Sequence, residues 1–360
     1  MDGWHAALKT LRFEKTDHVP TVGGWVQQYK LLAELSGLDF WSDPYAACLG
    51  GYRKLGCEIM FGVMQPASKD EWRYMDIRGN LDDTGREFKE PEDVADWIDQ
   101  NIPEQASPEN ILDSDETRRS IREHLQNRIR DIAPWAFPIA AAAFCRFQLY
   151  QKFGNEPYLA ACALFPDHLD RYFEYQTVEA IRYNEILLDV MRELDYPLFF
   201  MLGDDICGNR APLVSPEFLE KYLFHRYERS LAEIVDTGGR VIWHSDGQIM
   251  PIVDKLISIG IAGFQGFQEE IGVEFENLAL HRKTRKGLPL LILGSVSYPT
   301  LHGSENDVKA MVERCVDYSI QRGGGLAVCP SNTITPEVKD ENTLAMYYHT
   351  REYSSRLMQH

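Results

Sequence analysis

The feature that most limits how this chain can fold is an alternation running from end to end. Short runs rich in β-branched and aromatic residues occur at 198–202, 240–244, 261–265, 290–293 and 326–329. Between them, segments 217–236, 250–259, 274–286 and 307–321 space their apolar residues at three and four, the period of an amphipathic helix. A strand followed by a helix and then another strand pairs in parallel, because the crossover returns the chain to the same end of the sheet. Three earlier runs, 19–23, 58–63 and 136–141, bring the units to eight. Eight parallel units have a closed solution, so the alternation predicts an α/β chain folded as a (β/α)8 TIM barrel, one domain over residues 1–360.

Local punctuation agrees. Ser215-Pro216-Glu217 puts a capping hydroxyl and a proline where a helix begins, and Gly238-Gly239 stops that helix before the next run. Residues 76–130 break the rhythm. Asp82-Asp83, Glu90-Pro91-Glu92-Asp93 and the acidic run 113–116 leave only scattered apolar positions there. This predicts a helical insertion, a lid or hairpin of short helices near the barrel mouth.

Charge narrows the partners. Lys and Arg number 37 against 55 Asp and Glu, a net charge of −18, which repels nucleic-acid phosphate. The one basic stretch, His281-Arg282-Lys283-Thr284-Arg285-Lys286, reads as the polar end of a helix, favoured by its dipole. No run of about 18 apolar residues and no signal-peptide pattern occurs, so neither membrane nor secretion is expected. Seven cysteines are scattered without a CxxC pair, which fits a reducing, cytoplasmic setting.

Five segments, in order, carry a resemblance. They are Ala6-Ala7-Leu8-Lys9 with Thr16-Asp17-His18-Val19-Pro20; Gly203-Asp204-Asp205; Leu213-Val214-Ser215-Pro216-Glu217; Gly238-Gly239-Arg240-Val241-Ile242-Trp243-His244-Ser245-Asp246-Gly247; and Gly323-Gly324-Gly325 through Pro330-Ser331-Asn332. Together they resemble the uroporphyrinogen decarboxylase and cobalamin-dependent methyltransferase superfamily. The resemblance implies a barrel with a pocket at the carboxyl ends of the strands. It also implies one of two activities: decarboxylation of a porphyrinogen, or methyl transfer to or from a corrinoid with the help of zinc.

The decarboxylase branch grips its many-carboxylate substrate with arginines after the first strand. Here that region reads Val22-Gly23-Gly24-Trp25-Val26-Gln27-Gln28-Tyr29, without an arginine, which suits a smaller or less anionic ligand. The methyltransferase branch holds zinc through a His-x-Cys pair and a later cysteine. This chain has His244-Ser245-Asp246 at the first place and Asn332 at the last, with Cys329 three residues before it. The resemblance therefore leaves two arrangements open. Zinc is kept by a harder set of His244, Asp246 and a further carboxylate or Cys329, or the metal is lost and these groups act directly on substrate.

Each candidate has a bland alternative. Asp204 and Asp205 directly follow an apolar run, where two adjacent carboxylates repel unless one is protonated, ligated or paired; both are catalytic candidates beside His244, at least one as acid, base or ligand, and the alternative is that one braces the loop leading to Ser215 while the other faces solvent. Gly247 would let a ligand approach the backbone, while Asp246 is either a ligand or the cap of a helix starting near Gln248. Trp25, Tyr29, Gln265, Gln268 and Asn332 are candidate substrate contacts, with Glu269 as a base and Trp72 and Tyr298 as lining aromatics. Core packing or a solvated loop is the alternative for each. The leading expectation is methyl transfer between a small substrate and cobalamin, free or carried on a separate corrinoid protein. A carboxy-lyase acting on a small acid, or a non-catalytic corrinoid-binding barrel, are the alternatives.

Overall fold

The computed structural model describes residues 1–65, 88–107 and 111–358. The chain is mixed α/β. The strands are β1 (Val22–Gly23), β2 (Ile59–Met60), β3 (Phe137–Pro138), β4 (Ala140–Ala141), β5 (Phe199–Gly203), β6 (Arg240–His244), β7 (Ile261–Gln265), β8 (Leu291–Leu293) and β9 (Leu326–Ala327). Each of the eight runs read from the sequence overlaps at least one of them. The run 136–141 supplies both β3 and β4, because Ile139 interrupts the extended stretch. Among the described residues no helix is long and apolar enough to cross a membrane.

Two compact units share the chain. Unit 1 comprises Met1–Asp76, Leu125–Ala140 and Gly263–His360; unit 2 comprises Ile77–His124 and Ala141–Ala262. In unit 1, β1, β2 and β3 pair in parallel, with Val22 opposite Ile59 and Ile59 opposite Phe137. There too β8 pairs in parallel with β7 and with β9, and a parallel bridge joins Thr21 to Val328. These strands are buried on both faces, which is why they read as continuous apolar runs rather than alternating ones.

In unit 2, β5 and β6 run parallel in full register from Phe199 opposite Arg240 to Gly203 opposite His244. Ser215 caps the following helix as expected, its hydroxyl accepting from the Phe218 amide. The helix runs from Pro216 to Asp236 with a π-helical turn at Leu219–Phe224. Buried Arg226 answers that turn, donating to the Tyr222 carbonyl at 2.6 Å and to Asp170 at 2.8 Å on the helix Pro166–Glu193. Gly238, at φ +92°, then ends the helix.

The structure departs from four expectations. Segment 274–286 is helical only over Phe275–Ala279. His281 takes φ +60° and Lys283 bridges Pro289, so the basic stretch is a turn and not a helix end. Helix Val253–Ser258 starts later than residue 250, because Pro251 sits in the turn before it. The 76–130 segment is more than a set of short surface helices. Residues 66–87 and 108–110 lie outside the described residues, but Ser114–Ile132 is a 19-residue helix whose last turns belong to unit 1. There Arg128, buried, donates to the carbonyls of Met60, Phe61 and Ile139.

Candidate active site

The β5–β6 register places the chain segments Gly203-Asp204-Asp205 and His244-Ser245-Asp246 side by side at the carboxyl ends of two strands. Position 203 is glycine for a local reason: a Cβ there would lie 3.3 Å from His244 Cδ2 and crowd the imidazole. The adjacent carboxylates avoid repulsion by parting. Asp204 turns into the core, fully buried, and accepts from Phe147 N at 2.7 Å, Gln148 N at 2.8 Å and the Tyr227 hydroxyl at 2.8 Å. Burial pushes its pKa up to about 6 even though these donors and Arg146 pull the other way. These three contacts tie Asp204 to the 147–148 loop and to Tyr227, so this catalytic candidate sits in the structure as a buried brace.

Asp205 faces the other way, 28% exposed in its side chain. Its Oδ1 accepts from Asp246 N at 2.8 Å and its Oδ2 from Gln148 Nε2 at 3.0 Å, while its carbonyl accepts from the Tyr150 hydroxyl at 3.0 Å. His244 Nε2 stands 3.8 Å from Asp205 Oδ1, too far for a hydrogen bond. Asp246 completes the group: one donor atom from each of Asp205, His244 and Asp246 lies within 4.8 Å of the others. Asp246 does not cap the next helix, which begins at Val253 behind Ile252. Gly247, at φ +90°, allows a close approach of a different kind from the one expected. A Cβ there would come within 2.3 Å of the Cys207 carbonyl, so the glycine lets its loop press on the backbone at 207–208.

The remaining candidates belong to unit 1. Gln265 is fully buried, its amide 3.1 Å from the Pro330 carbonyl and 3.7 Å from Cys329 Sγ. Cys329 is equally buried, which pushes its thiol pKa up, and it is not part of the trio. Tyr29 is buried against Phe40, and burial pushes its phenol up to about 12. Trp25 lies against Phe61, and the Asn332 side-chain oxygen Oδ1 accepts from Thr333 N. Gln268 is half-buried with its amide 3.4 Å from Glu270, and Glu269 is paired with Arg314 at 2.7 Å. The Tyr298 hydroxyl meets Thr335 at 2.9 Å. Trp72 lies outside the described residues.

Three residues that shape the site were not singled out by sequence reasoning: Gln148, Tyr150 and Tyr227. They carry no motif. The only available pointer for the first two is their place in the loop after the run at 136–141.

Residues 201–353 match the family model for uroporphyrinogen decarboxylase (URO-D), a span that takes in the whole trio. No curated protein matches the sequence. Among solved structures, a methyltransferase from Methanosarcina mazei is similar in fold, with a TM-score of 0.62 at 14% identity over 98% of this chain and 99% of that one.

Proposed function

This chain belongs to the uroporphyrinogen decarboxylase superfamily, and from that premise we propose that it is a methyltransferase moving a methyl group between a small substrate and a corrinoid, the cobalamin being free or carried on a partner protein. In this reading its strands complete a (β/α)8 barrel over residues 1–360. The observation that carries the proposal is the trio of Asp205, His244 and Asp246 at the strand ends.

The donor chemistry fits a divalent metal of the zinc class. Imidazole nitrogen and carboxylate oxygen bind zinc at about 2.0–2.2 Å, which sets neighbouring ligands of a tetrahedral site about 3.3 Å apart. The 3.8 Å between His244 Nε2 and Asp205 Oδ1 needs only a small closure to reach that spacing. Three protein ligands also leave a position for substrate, as catalytic sites require. The metal would supply Lewis acidity toward the group that gives or takes the methyl. The chain's own residues do the rest. Asp205 and Asp246 balance the charge, the partly exposed His244 side chain offers its imidazole, and Asp204 holds the surrounding loops in place. The absence of arginine from residues 22–29 supports a small substrate rather than a porphyrinogen.

The test is demethylation of methylcobalamin by the purified chain against a panel of thiols, phenols and amines, followed by its absorbance change. Turnover in the wild type and none in a folded His244→Ala variant is expected. A fully active His244→Ala variant refutes the assignment, and release of carbon dioxide from a small acid without any cobalamin change supports the lyase instead.

A further inference from the structure

We infer that Gln148 is a positioning residue that sets the metal affinity of the trio, with buried Asp204 as the anchor that places it. The inference rests on the reading that Asp205, His244 and Asp246 hold a metal. A carboxylate on a short side chain is free to turn about its last bond, and ligation requires one oxygen of Asp205 to stay aimed at His244. Two donors on opposite oxygens fix that plane. Asp246 N holds Oδ1 at 2.8 Å, and Gln148 Nε2 holds Oδ2 at 3.0 Å.

The second donor is itself held. Asp204 Oδ1 accepts from the backbone N–H of Gln148 at 2.8 Å and its Oδ2 from that of Phe147 at 2.7 Å. Its own N–H donates to the His244 carbonyl at 3.0 Å. One buried residue thus ties the loop that carries Gln148 to the strand end that carries His244. An amide suits position 148 because it donates without adding charge, whereas a glutamate would repel Asp205. Partners that orient a ligand in this way alter metal affinity by roughly 10–100-fold when removed.

The experiment is a zinc titration of the full chain against a chromophoric chelator, paired with thermal unfolding of the metal-free protein. Gln148→Met keeps the length of the side chain and loses the donor. It is expected to bind zinc at least about tenfold more weakly while unfolding at the wild-type temperature. Wild-type affinity in Gln148→Met, with binding lost in His244→Ala, overturns the inference and leaves the metal reading standing. A loss of affinity matched by a lower unfolding temperature also overturns it, since that outcome assigns Gln148 to the fold alone. Undiminished zinc binding in His244→Ala removes the metal reading and the inference with it.

Discussion

Two neighbouring aspartates with opposite fates make the sharpest comparison at the scale of the residue. Asp204 accepts two backbone N–H groups and a tyrosine hydroxyl in a buried setting, so Asp204→Ala leaves three donors unsatisfied. Each buried orphan costs about 1–3 kcal/mol, and urea denaturation should show a loss of about 3 kcal/mol or more. Asp205→Asn, at a partly exposed position, should change stability by less than about 1 kcal/mol and abolish zinc binding in the same preparation. The adjacent pair, the histidine and the carboxylate two residues after it were all legible in the sequence, because their order and spacing are local. Which aspartate faces the site was not, since the three groups that claim Asp204 come from residues 147, 148 and 227.

At the scale of the element, strand runs were read well and helix ends poorly. The run 240–244 became a strand with unchanged ends, because a buried parallel strand needs only an apolar stretch of the right length. Segment 274–286 kept a helical spacing that its backbone abandons at Leu280, where the chain turns toward a bridge with Pro289. The π-helical turn at Leu219–Phe224 had no sequence signal; Arg226 bonds the Tyr222 carbonyl within it and Asp170 on a distant helix. The loop after β6 makes a direct test. Gly247 combines φ +90° with a backbone contact that no Cβ fits, so Gly247→Ala should lower stability by about 1–3 kcal/mol. Because Asp246 precedes it, the same variant should also weaken zinc binding, which the chelator titration reads.

For the whole molecule, eight recurring units were visible as an alternation, whereas the division into two compact units was not, since each is assembled from separated stretches of chain. Stability should carry a pH signature from unit 1. His18 is buried, with Nδ1 2.6 Å from Asp17 and Nε2 2.8 Å from Glu58. Burial alone would lower its pKa, but hydrogen bonds and charge from Glu58 and Asp17 outweigh it and raise the value. The folded state therefore binds the proton more tightly than the unfolded chain. That contribution is complete below the unfolded value of about 6.5 and is lost as pH rises through the folded pKa. Denaturation free energies should decline over that window in the wild type and stay flatter in His18→Gln. In the proposed site a nitrogen and two oxygens, with no sulfur, hold a metal at the ends of β5 and β6. X-ray absorption at the zinc edge of the reconstituted protein tests it most directly. Only nitrogen and oxygen neighbours at about 2.0–2.2 Å are expected, and a sulfur neighbour at about 2.3 Å rules this ligand set out.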